Sequence, residues 1–135
     1  MTYDRLLMRL KYGMWNQWRL ENPGLAINLD GATLDGMVLS GIDFSAVSLR
    51  GASLHATNLM NADLRRADFT GANLREADLI GANLEGAILR GASLQEADLL
   101  GARLTGAEFV AEDLNGALHV SPTSDEPLPP DDEGA

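Results

Sequence analysis

From Ile27 to Gly116 the chain repeats every five residues without an insertion, a period that suits neither a helix nor a strand. The pentad centres run Leu29, Leu34, Leu39, Phe44 and onward in phase to Phe109 and Leu114, 18 in all, 15 of them Leu and three Phe. Two residues before the centre, 12 of the 18 positions are Ala; two residues after it, 11 are Gly. Asp, Asn, Ser or Thr most often stands between the Ala and the centre, as in Asp63, Asn73 and Asp78. A helix would scatter these Leu residues around its circumference, and each Gly would weaken it by roughly 1 kcal/mol. A coil that turns one corner per pentad meets both objections. Leu and Ala then point inward, and Gly at the corner supplies the positive φ that tight turns demand. Successive coils are expected to stack as short parallel strands at ~4.8 Å, Leu resting on Leu.

Pentads such as Ala62-Asp63-Leu64-Arg65-Arg66 resemble the Ala-Asp/Asn-Leu-x-x unit of pentapeptide repeat proteins, and the likeness covers 90 of 135 residues. That resemblance implies an all-β solenoid, a right-handed, four-sided (quadrilateral) parallel β-helix with four pentads per coil. Eighteen pentads then make about four and a half coils, a rod of roughly 22 Å at strand spacing. The calcium-binding nonapeptide β-roll, the other short-period solenoid, needs a Gly-Gly-x-Gly-x-Asp signature that the chain lacks. Trp15-Asn16-Gln17-Trp18-Arg19 followed by Asn22-Pro23 is similar to a lead-in found before bacterial, notably cyanobacterial, pentapeptide repeats.

A stack of coils exposes unpaired backbone at both ends and needs caps. Residues 1–26 read as an amino-terminal capping helix with its lead-in. Tyr3, Leu6, Leu7, Leu10, Met14 and Trp18 fall at the spacing of one amphipathic helix over 3–21, with Trp15 beside them, and Asn22-Pro23-Gly24 ends it. Ile27, Met37, Ile42 and Val47 stand where Ala is usual, which predicts a wider mouth that receives this helix. Residues 27–116 form the repeat. Residues 117–135 read as an acidic, Pro-rich disordered tail, because 121–135 carry four of the five prolines, five acids and no base. His119 stands where a nineteenth Leu would be, and Leu118 and Val120 are placed to fold over the last coil.

Twenty acids against ten bases give a formal charge of -10, which opposes any general attraction to nucleic acid or to an anionic membrane. The segment up to Glu21 is locally +2, a solvated basic face more than a membrane anchor. With no cysteine, disulfides and thiolate sites are absent, and no apolar run reaches the ~18 residues of a membrane span. A cytoplasmic protein is the expectation. Catalysis finds no support: there are two histidines, His55 and His119, one lysine, Lys11, and no insertion to form a pocket. No cofactor or metal is expected. Asp43 with Asp63, and Asp78 with Asp98, are 20 residues apart and should stack about 5 Å apart, close enough for a cation or for raised pKa values.

Folding the sequence at 20 residues per coil arranges the outward positions in columns. One column reads Ser40, Met60, Ile80, Leu100, an apolar stripe bordered by Asp78 and Asp98. Clustering of this kind marks a partner surface, so Met60, Ile80, Leu100, Asp78 and Asp98 are the candidate partner-binding residues. The function that follows is a non-enzymatic protein-interaction or scaffold module, with self-association through a β-helix end as a second contact mode. The alternative comes from the family: some members are acidic DNA mimics that bind DNA gyrase, a topoisomerase, and protect it from inhibitors. Six arginines (Arg50, Arg65, Arg66, Arg75, Arg90 and Arg103) interrupt the acids of the rod and oppose a DNA-like field.

Overall fold

Four pentads close one turn of the coil. In the computed structural model, which describes residues 2–120, fourteen parallel bridges join residue i to residue i+20, from Asn28 with Ser48 to Asp98 with Leu118. Each bridge uses two backbone bonds: Leu29 N–H donates to Ser48 C=O at 2.7 Å, and Ser48 N–H donates to Ile27 C=O at 3.0 Å. The corner is closed locally, as where Ala32 N–H donates to Leu29 C=O at 3.0 Å. This tight cycle corrects the expected strands. Among the described residues no bridge extends into a strand, because the turn begins one residue after each pairing.

The corners explain the Gly column. All sixteen corner residues from Gly31 to Gly106 have positive φ, and six of them are not Gly: Ala46, Ala56, Asn61, Arg66, Glu76 and Glu96. The backbone of the coil, not the residue, sets this conformation, so the left-handed cost falls on the six.

Inside, the ladder is dry. Leu59, Leu64, Leu74, Leu79 and Leu84 are 0% exposed, and Ala at the neighbouring inward column leaves the width that Leu fills. Thr57 takes one Ala position and stays buried by donating its hydroxyl to Leu34 C=O at 2.9 Å.

The amino-terminal cap is two helices where one was expected: α1 (Tyr3–Lys11) and α2 (Trp15–Glu21). Thr2 caps α1, its hydroxyl accepting from Arg5 N–H at 3.3 Å, and Gly13 at φ +72° breaks the run. The break changes the cap's apolar face. Leu6, Leu10, Trp15 and Trp18 are buried and Leu7 packs partly against them, but Met14 precedes α2 and lies 54% exposed. Met14 is therefore not a cap residue, since a continuous helix was needed to turn it inward.

α2 also completes the backbone of the first coil. Trp15 Nε1 donates to Asp43 C=O at 2.7 Å, and Arg19 donates to Ser45 C=O at 2.9 Å. Asn16 donates to Gly41 C=O and accepts from Asp43 N–H, at 2.9 and 2.8 Å. These groups would otherwise face a coil that does not exist. The Trp15 ring meets Trp18 and Phe44 edge-on, each with centroids 5.2 Å apart, in the mouth lined by Ile27, Ile42 and Val47.

At the other end the in-phase reading fails for one pentad. Ala111–Leu114 form a 3-10 turn, and the bridge from Ser93 to Asp113 is not made. Glu112 stands at an inward position and cannot be buried unpaired, so the side bulges outward. Asp113 then accepts from Val110 N–H and Gly91 N–H at 3.0 and 3.2 Å. The coil resumes at Leu118, whose N–H donates to Ala97 C=O at 2.8 Å, while Val120 packs against the core. Pairing thus continues into the segment read as tail, and the remainder of that segment, 121–135, lies outside the described residues. No helix among the described residues is long and apolar enough to cross a membrane.

Candidate interaction surface

The side built on Leu39, Leu59, Leu79 and Leu99 differs from the other three. Its pentads contain no Lys or Arg, and bridges from Val38 through Asn58, Asp78 and Asp98 to Leu118 hold them in register. That register stacks Met60, Ile80 and Leu100 in one outward column. Leu100 is 53% exposed, whereas Met60 and Ile80 are half-buried between their neighbours above and below. Leu118, 43% exposed, adds an apolar residue at the foot of the adjacent column.

The carboxylates beside the stripe are partly engaged. Asp78 accepts from Ile80 N–H at 3.0 Å and Asp98 from Leu100 N–H at 3.1 Å, bonds that fix the outward residue two places on. Asp98 also takes His119 Nδ1 at 2.8 Å, and this hydrogen bond holds its pKa below the ordinary 3.8. Asp63, stacked under Asp43, is likewise lowered, chiefly by the Arg65 side chain at 2.7–2.8 Å, which outweighs its desolvation. The expected rise is therefore corrected for both. Stacking does bring the carboxylates together, but each of these two has its own cation or donor. Among the described residues no group of three or more His, Asp and Glu forms a metal-binding cluster.

The other sides mix arginines with a larger number of acids, and several of these charges pair across the surface. Arg103 meets Glu85 at 2.9 Å, Arg90 meets Glu108 at 3.7 Å, Arg50 meets Asp68 at 3.8 Å and His55 meets Glu76 at 3.3 Å. Each pair joins neighbouring coils, a relation visible only once the 20-residue register is applied. Trp15, Asn16 and Arg19 lie in the lead-in that the sequence singled out, but their bonds to the backbone of the first coil had no sequence signal.

A family model for pentapeptide repeats, in 8 copies, matches residues 27–66, 57–91, 67–106 and 83–117. The chain belongs to the pentapeptide repeat family. Among solved pentapeptide repeat proteins, HetL from the cyanobacterium Nostoc sp. strain PCC 7120, involved in heterocyst differentiation regulation, is 34% identical with a TM-score of 0.64. That match covers 78% of this chain and 45% of HetL, so the chain spans less than half of that relative. The protein alr5209, also from Nostoc PCC 7120, is 28% identical with a TM-score of 0.66, covering 87% of this chain and 94% of alr5209. No curated protein matches.

Proposed function

We propose that this pentapeptide repeat protein is a non-enzymatic docking module of the cytoplasm. In this reading it is a right-handed quadrilateral β-helix from residue 27 whose pairing runs to Leu118, closed by a cap over 1–26 and followed by an acidic segment over 121–135. It presents the Leu79 side to a protein partner whose surface is apolar with basic residues at its margin. The observation that carries the proposal is the stacked column Met60, Ile80 and Leu100, flanked by Asp78 and Asp98 on a side without a single Lys or Arg. A stiff face loses little entropy on docking, and complementary charge at its edge sets orientation. The Arg–acid pairs favour this reading over an acidic DNA mimic, because they interrupt the continuous negative field such a mimic needs.

The test is capture from the native lysate by wild type beside a folded Met60→Asp, Ile80→Asp, Leu100→Asp variant. Any protein retained is then purified and titrated against both. A partner that binds wild type and loses roughly a hundredfold or more in affinity with the variant supports the docking face, since two or more buried apolar side chains contribute that much. Equal binding of purified gyrase to both proteins would overturn it in favour of the mimic.

A further inference from the structure

The outer face of α1 is the second apolar surface of the molecule, and its charge is opposite to that of the rest. Met8, Tyr12 and Met14 are 56, 61 and 54% exposed, and with Arg5 and Arg9 they line a shallow depression of about 260 Å³. Lys11 stands next to it, its Nζ 5.6 Å from the Tyr12 ring centroid. Arg9 lies over the Trp18 ring at 4.9 Å, and its Nε is shielded from solvent without a hydrogen-bond acceptor. Three bases and three apolar side chains thus surround a hollow with no acid of the described chain paired to it.

We infer that this hollow is the docking site of the chain's own acidic terminus, residues 121–135. Charge complementarity selects this occupant. The terminus carries Asp125, Glu126, Asp131, Asp132 and Glu133 and no base, with Leu128 and four prolines between and around them. Length permits it. From Val120 to the first coil is four coil spacings, ~19 Å, and the helical layer adds about 10 Å. Eleven extended residues, enough to reach Asp131, span roughly 36 Å. The triplet Asp131, Asp132 and Glu133 therefore reaches Arg5 and Lys11, whereas Asp125 and Glu126 lie too near Val120 to do so. Docked, the terminus covers Met8, Tyr12 and Met14 and neutralises the basic end of the molecule. The site and its occupant are separate from the Leu79 side, so either reading can fail alone.

Lys11 is the chain's single lysine, which makes the contact readable by carbodiimide coupling of the full-length protein. The reagent joins Lys11 Nζ to a carboxyl as an amide, and the water lost converts the carbodiimide to its urea. Mass spectrometry of the monomer should find Lys11 linked to Asp131, Asp132 or Glu133. An Arg5→Glu, Met8→Asp variant, both positions exposed, should keep the wild-type melting profile and lose roughly tenfold of that product, one reversed charge and one lost apolar contact acting together. In the native chain, neutralising the triplet with Asp131→Asn, Asp132→Asn and Glu133→Gln should also shift the Met8 and Met14 methyl resonances. Linkage of Lys11 to Asp78 or Asp98 in a covalent dimer would overturn the inference and make a second copy the occupant. Methyl shifts produced by vesicles of phosphatidylcholine with phosphatidylglycerol, and not by the triplet substitution, would replace the tail with a membrane. A linkage pattern unchanged in the Arg5→Glu, Met8→Asp variant would show chance encounter and also overturn it.

Discussion

Leu79 and Ile80 are adjacent in sequence, and the coil gives them opposite surroundings: Leu79 is 0% exposed between Leu59 and Leu99, while Ile80 stands outward in the stripe. Leu79→Ala should cost ~2–5 kcal/mol, because coils tied above and below by backbone bonds cannot collapse into the gap. Ile80→Asp should cost about 1 kcal/mol or less, since a half-buried outward side chain leaves no cavity. Urea unfolding of the two variants checks the ratio, and equal losses would mean that inside and outside had been misassigned. The corner residues give a second test of opposite sign. Ala46 and Ala56 sit at φ 59° and 58°, so Ala46→Gly or Ala56→Gly should stabilise by roughly 0.5–1 kcal/mol, the relief of left-handed strain exceeding the added chain entropy. Gly101→Ala, at φ 72° with only ordinary contacts around the new Cβ, should lose a similar amount, and thermal melting reads both. Asp63 adds a pH dependence. Its folded pKa lies below the ordinary 3.8, so its contribution is present above about pH 4 and is lost as pH falls through the lower, folded value. Arg65→Ala should flatten that acid limb, measured as the melting temperature between about pH 5 and pH 2.

At the scale of the element, the helices act as a lid whose work is done by polar groups as much as by the two tryptophans. α2 covers the Asp43 side of the first coil with three side chains, and Asn16 alone meets both a donor and an acceptor there. Asn16→Ala should cost about 1 kcal/mol, the value of exposed hydrogen bonds. Its signature is local: the Asp43 amide should lose protection from hydrogen exchange while the amides of Leu64 and Leu84 keep theirs. The helical character of residues 3–21 was legible from the spacing of Leu6, Leu10 and Trp18. Their division into two helices rests on Gly13 adopting φ +72°, and the same sequence without knowledge of the mouth beneath reads as one run. The 3-10 turn at Ala111–Leu114 is a comparable case. Glu112 at an inward position was a visible exception, but whether the coil would bury it, bulge or end depended on Asp113 finding Gly91 and Val110.

For the whole molecule the consequence is polarity along the rod. A basic, apolar helical end is followed by a coil in which Arg50, Arg90 and Arg103 pair with acids on neighbouring turns, and one side of that coil is free of Lys and Arg. The Leu79 side is thereby set apart as the one whose acids, Asp78 and Asp98, border an apolar column with no Lys or Arg among them. Because Arg50–Asp68, Arg90–Glu108 and Arg103–Glu85 are solvent-accessible bridges between coils, each contributes little to stability, and their larger effect is on the outer field. The column Met60, Ile80, Leu100 was readable once the resemblance supplied four pentads per coil, whereas its half-buried upper part was not, since exposure depends on how closely the coils stack.

The sequence by itself determined the coil: a five-residue period with Leu, Ala and Gly at fixed places admits one arrangement of inside, outside and corner. The columns needed one thing more, the four-pentad turn that the family resemblance implied and the bridges from i to i+20 display, after which register is a matter of counting. Only the tertiary structure decided what happens where the period stops. How the two helices meet the first coil, which side chains replace the missing neighbour, and how the chain passes Glu112 all depend on orphan backbone groups. Those groups exist only once the coil has formed, so no local pattern announces them.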